Sequence, residues 1–113
     1  MDIEVVLDAG ATIGESPTWV SAEKALYWID VKKPALYRYD PATKGERCWP
    51  MPDDIGAFAL VRDPPGAVVA LRRGIFRLEF ASGSLTRLAP PPFDPALFRF
   101  NEGICDSAGR FWI

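Results

Sequence analysis

The segment Val20–Asp30, VSAEKALYWID, is echoed about 41 residues later by Val61–Leu71, VRDPPGAVVAL, and this near-repeat decides the fold. Each copy reads as a short apolar strand, a polar turn, then a second apolar strand. A partial third copy follows after about 43 more residues, where Cys105–Ile113, CDSAGRFWI, lays Gly109 on Gly66. The first two copies continue into a further hairpin, ALYRYDPATKGERCW from Ala35 and GIFRLEFASGSLTRL from Gly74.

Residue type and alternation carry the strand assignments. Ala25–Asp30 is rich in aromatics and carries Ile29, Ala35–Tyr39 alternates, and Val68–Leu71 and Ile75–Phe80 repeat the pattern across an Arg73–Gly74 turn. Asp40–Gly45 and Ala81–Ser84 have the Asp, Pro, Gly and Ser chemistry of tight turns, as does Asp106–Gly109. No stretch has a helical period, and the prolines at 90–92 and 95 mark a long loop. The chain is expected to be all-β. Four strands in about 41 residues is the size of one β-propeller blade. The reading is therefore a partial β-propeller of about two and a half four-stranded blades: blade 1 over 14–50, blade 2 over 55–89, and the start of blade 3 over 99–113. The alternative is a single β-sandwich of about seven or eight strands.

Composition narrows the function classes. At 113 residues, 49% hydrophobic and 25% charged, the chain has the make-up of one soluble domain. A net charge of −2 offers no basic surface for nucleic acid. No apolar run approaches the ~18 residues needed to cross a bilayer, and MDIEVVLD lacks a signal-peptide pattern, so no membrane partner and a cytoplasmic location are expected. Cys48 and Cys105 are expected to be free thiols. With no histidine, a histidine-based triad and a zinc site of the Cys/His kind are excluded within these residues, leaving oxygen ligands for any metal.

Two polar segments precede the strands that a propeller would place innermost. Glu15 stands between Gly14 and Pro17 ahead of the first repeat, and Arg99, Asn101 and Glu102 stand ahead of the third. Copy two has Ile55–Phe58 (IGAF) there, contributing shape instead of charge. Carboxylate and amide oxygens converging on one axis suit a hard divalent cation, and an adjacent arginine could steady a developing oxyanion. The bland alternative makes Glu15 a solvated loop residue. Trp19, Trp28 and Trp112 are expected to pack between blades, Arg72–Arg73 to form a solvated turn, and Asp53–Asp54 to solvate a loop beside Pro52.

The combination GESPTW, LYWID, LYRYDPATKG, IGAFAL and RFNEGICDSAGRFW, spread from Gly14 to Ile113, resembles the N-terminal portion of the senescence-marker-protein/gluconolactonase/luciferin-regenerating-enzyme-like family of regucalcin-like sugar lactonases. That resemblance implies a six-bladed ring, a divalent cation (calcium, zinc, manganese, magnesium or iron) and a sugar lactone substrate opened by hydrolysis of its carboxylic ester. It implies Glu15 as a metal ligand and Arg99 and Asn101 as substrate contacts; Glu102 falls where the family usually has Asp. The family's general base and other metal ligands would lie beyond residue 113, leaving no catalytic residue within the chain. Ile3–Leu7 would be the strand that closes the ring. The isolated chain is then expected to be inactive and to self-associate through uncovered blade faces. The alternative from another class is a non-catalytic propeller module that binds proteins or peptides.

Overall fold

Ten strands and no helix build the chain, whose computed structural model describes residues Met1–Ile113. The first antiparallel sheet takes β1 (Gly14–Val20), β2 (Ala25–Asp30), β3 (Ala35–Asp40) and β4 (Gly45–Pro50) in sequential order. The second repeats that order with β5 (Ile55–Val61), β6 (Gly66–Leu71), β7 (Gly74–Glu79) and β8 (Leu85–Ala89). A short third sheet pairs β9 (Ile104–Cys105) with β10 (Phe111–Trp112). The repeat in sequence is a repeat in register: Gly14 opposes Asp30 and Val20 opposes Ala25, as Ile55 opposes Leu71 and Val61 opposes Gly66.

Turn chemistry sets these registers. Asp40 accepts the N–H groups of Ala42 (2.9 Å) and Thr43 (3.3 Å), and the β3–β4 hairpin closes through Lys44 at a φ of 59°. Gly83, at a φ of 72°, supplies the left-handed residue between β7 and β8.

The main core lies between the first two sheets. Alternate residues of β2 (Ala25, Tyr27, Ile29) and β6 (Ala67, Val69, Leu71) join Leu36, Trp49 and Phe58 in one buried cluster. Trp49 stacks on Phe80 at 4.2 Å and donates its indole N–H to the Phe80 carbonyl (3.1 Å), so its polar edge enters the core already paired. Tyr27 is buried as well. Its hydroxyl donates to Glu23 (2.9 Å) and accepts from Arg38 Nε (3.2 Å), while burial, reinforced by Glu23, pushes its phenol up to about 12. A smaller cluster of Ala57, Ala70 and Phe100 joins the second sheet to the segment entering the third.

Within this chain Ile3–Leu7 pairs with no strand; it runs past the first sheet with the Val6 carbonyl accepting from the Tyr39 hydroxyl (3.4 Å). One expectation is corrected here. Trp19 and Trp112 are not packed between sheets but are 54% and 59% exposed. Their registers pair them with Leu26 and Ile104, on sheet faces that no other sheet of the chain covers. Trp28 stacks within its own sheet on Tyr37 (5.2 Å, interplanar angle 5°).

Candidate functional site

The first strand of each four-stranded sheet carries a one-residue bulge at its start. In β1 the register slips between Glu15 and Thr18, and in β5 between Ile55 and Ala57. Ser16 occupies the first bulge at a φ of 55°, a left-handed backbone that costs an L-residue about 1–2 kcal/mol. The bulge breaks the alternation of β1 at that point, and Glu15 is half-buried.

The second bulge receives the other half of the site. Gly56 is buried, and a Cβ there would overlap the carbonyl of Phe100 and stand 3.0 Å from its side chain. Glycine is therefore what lets the segment after the proline loop settle onto the second sheet. Phe93 packs edge-on against Phe100 at 4.9 Å, and Asp94 organises the preceding turn by accepting the N–H of Ala96 (2.9 Å). The outcome is one open cleft of about 330 Å³ lined by Glu15, Ser16, Pro17, Asn101 and Glu102. Ser16 also borders an adjoining cavity of about 310 Å³ that reaches Phe58 and Cys105.

Of the residues expected to act together, Glu15, Asn101 and Glu102 share this cleft. Arg99 does not line it; its guanidinium folds back to donate to the Phe100 carbonyl (3.1 Å). The cleft's side chains are unengaged by protein donors, and neither Glu15 nor Glu102 enters any of the chain's four ion pairs. Their donors are all oxygen, with two carboxylates and an amide. That chemistry fits a hard divalent cation, although Ca2+ takes about 6–8 oxygens and the cleft supplies only part of such a set. No group of three or more His, Cys, Asp or Glu side chains gathers around a metal-sized space.

Other acidic residues are consumed by the fold. Asp30 is fully buried, and its two oxygens accept the N–H groups of Thr12 (2.7 Å), Ile13 (3.1 Å), Lys32 (3.1 Å) and Lys33 (3.2 Å). Burial pushes its pKa upward, but the four donors outweigh this and hold the carboxyl below its usual range. Sequence reading placed Asp30 only as a strand end. The signal available was an acid closing an apolar strand just before a Lys-Lys-Pro turn. Asp53 and Asp54 do not merely solvate their loop, and Arg72 is not a solvated turn residue. Asp54 pairs with both Lys32 (2.7 Å) and Arg72 (2.8 Å), while Asp53 accepts the Arg72 N–H (3.0 Å). These partners lie close because the β4–β5 loop and the β6–β7 turn meet at one end of the second sheet. Arg72, foremost, and Lys32 hold the Asp54 carboxyl below its usual range. Cys48 and Cys105 are both free and exposed.

Residues 13–113 match the family described as the SMP-30/Gluconolactonase/LRE-like region. The chain is 39% identical over 111 residues to the 6-deoxy-6-sulfogluconolactonase of Pseudomonas putida, covering 97% of this chain and 38% of that protein. It is 34% identical over 108 residues to the L-arabinolactonase of Azospirillum brasilense, covering 95% and 35% of the two chains. To the regucalcin of Xenopus laevis it is 36% identical over 109 residues, covering 96% and 36%. The chain thus spans little more than a third of the length of these curated relatives. By the extent of the family match and the closeness of these relatives, it belongs to the SMP-30/gluconolactonase/LRE-like family.

Proposed function

We propose that this chain supplies the first part of a sugar-lactone hydrolase, with Glu15 anchoring a divalent cation in the cleft it shares with Asn101 and Glu102. The observation that carries this reading is the meeting of Glu15 with Asn101 and Glu102, from opposite ends of the chain, in one cleft whose oxygens are not spent on the fold. Names of relatives that include a sulfogluconolactonase and an L-arabinolactonase support lactones of sugar acids as the substrate class.

Each residue has a definite task in this reading. Glu15 contributes negative charge and a ligand oxygen, held at the lip by the Ser16–Pro17 bulge. Asn101 can donate to a sugar hydroxyl through its amide N–H groups or accept through its oxygen. Glu102 borders the same space and favours hydroxyl-rich ligands by accepting hydrogen bonds from their O–H groups. Arg99 precedes Asn101 on the same segment, with one guanidinium N–H donated to the Phe100 carbonyl and the remaining donors left for an oxyanion. A cation bound there would polarise an ester carbonyl and lower the pKa of a water beside it. Following the family resemblance, this reading assigns proton abstraction from water to a residue beyond Ile113. The two four-stranded sheets are then adjacent blades of a six-bladed ring, β9–β10 opens the next blade, and calcium, zinc, manganese, magnesium or iron could fill the cation site.

Lactone hydrolysis followed by proton release tests this. The chain by itself should match the spontaneous rate on gluconolactone with or without Mn2+ or Ca2+. Metal-dependent turnover by the chain alone would show that a complete catalytic set lies within it and overturn the assignment of roles.

A further inference from the structure

We infer that Arg72 is a positioning residue for the Glu15–Asn101 cleft, fixing Asn101 and Glu102 by clamping the loop that precedes them to the rim of the second sheet; this rests on the function proposed above. The guanidinium reaches in two directions. Nη2 donates to Asp54 (2.8 Å), and Nη1 donates to the Pro95 carbonyl (3.0 Å) with the Phe98 carbonyl at 3.5 Å. Its own backbone N–H is held by the Asp54 carbonyl (2.9 Å) and Asp53 Oδ1 (3.0 Å), so the base of the side chain is anchored as well. Pro95 and Phe98 lie immediately upstream of Asn101, and Arg72 is the side chain that ties their backbone to the sheet by hydrogen bonds.

The clamp continues to the other half of the site. Asp54 also accepts from Lys32 Nζ (2.7 Å), and Lys32 lies in the turn whose N–H groups Asp30 holds. The same Asp30 carboxylate fixes Thr12 and Ile13, the residues leading into Gly14 and Glu15. One polar strap therefore runs along the rim from the approach to Glu15, through Asp30, Lys32, Asp54 and Arg72, to the approach to Asn101. Arginine suits the central place because its planar fork donates to a carboxylate and to carbonyls at once; a lysine ammonium cannot hold both directions from one stem.

The test compares the chain with Arg72→Lys and Arg72→Met by NMR, using amide hydrogen exchange and broadening by added Mn2+. Both variants should keep the far-UV spectrum, while the Leu97 and Phe98 amides, both bonded to the Asp94 carbonyl, exchange at least tenfold faster. With Mn2+, the Glu15 amide should broaden in all three proteins, whereas the Asn101 side-chain amide should broaden strongly only with Arg72 in place. A purely structural role would weaken both signals together as the sheet loosens, and that result overturns the inference. Unchanged exchange and unchanged Asn101 broadening in both variants also overturn it. If Mn2+ broadens neither residue in the unaltered chain, the cation reading fails by itself. Faster exchange at Leu97 and Phe98 in both variants then still supports the clamp, and unchanged exchange refutes it.

Discussion

The Phe100 carbonyl lies over Gly56, in space that any side chain would claim. This approach joins the third repeat to the second sheet and brings Asn101 to the lip of the cleft. Gly56→Ala should destabilise the fold by about 1–3 kcal/mol, the usual cost of overpacking a tight core. Urea denaturation measures the loss, and amide shifts at residues 99–102 should move more than those of the first sheet. A neutral substitution would mean that the segment is free to lift away.

Asp30 makes a second prediction. Asp30→Asn exchanges an oxygen acceptor for an N–H2 group facing backbone donors, in a position with no access to water. The expected loss is about 1–3 kcal/mol, measured near neutral pH. Since the carboxyl's pKa is depressed in the fold, its contribution is present above the ordinary carboxylate range and fades as pH falls through the folded value. The variant should lack that part of the acid sensitivity, and equal acid sensitivity in both proteins would contradict the role given to this carboxyl.

Asp106 sets the turn of the third sheet. It accepts the N–H groups of Ala108 (2.9 Å) and Arg110 (2.9 Å), the Arg110 Nε–H (2.7 Å) and the Trp112 indole N–H (2.9 Å). The Trp112 bond foremost, then those from Arg110, bring its pKa from 3.8 to about 2. A depressed folded value means that the turn's stabilisation is complete above the unfolded value and is lost as pH falls through the folded one. The Trp112 indole N–H resonance should accordingly hold steady down to pH of about 4 and titrate with a midpoint of about 2. A midpoint at 3.8 would show that the indole bond does not form.

The hairpins of both four-stranded sheets were legible in the sequence, and the reason is periodicity. The strands of VSAEKALYWID and VRDPPGAVVAL recur at a fixed spacing with turn residues at matching places, and each became a hairpin in the same register. Glu15 and Asn101 could also be singled out, since polar groups stand where repeat positions in copy two are apolar. What escaped reading was the use of individual charges. Asp30, Asp54 and Arg72 gain their roles from partners in other turns, and nothing local in their sequence names those partners. Trp19 misled because an aromatic on a strand signals packing without saying whether a second sheet covers that face.

Exposed apolar side chains give a fourth prediction. Trp19, Ile104 and Trp112 are 54%, 71% and 59% exposed on uncovered sheet faces. Such surface favours association. Sedimentation velocity should find mass rising with concentration, and Ile104→Lys should reduce it. A monomer at every concentration would contradict the expectation.

Calorimetric titration of Mn2+ into the chain and into Glu15→Gln tests the central claim most directly. A single site is expected whose affinity falls at least tenfold when the Glu15 carboxylate becomes an amide, with the far-UV spectrum unchanged. Equal binding by the two proteins would contradict the claim that Glu15 anchors a cation in the cleft it shares with Asn101.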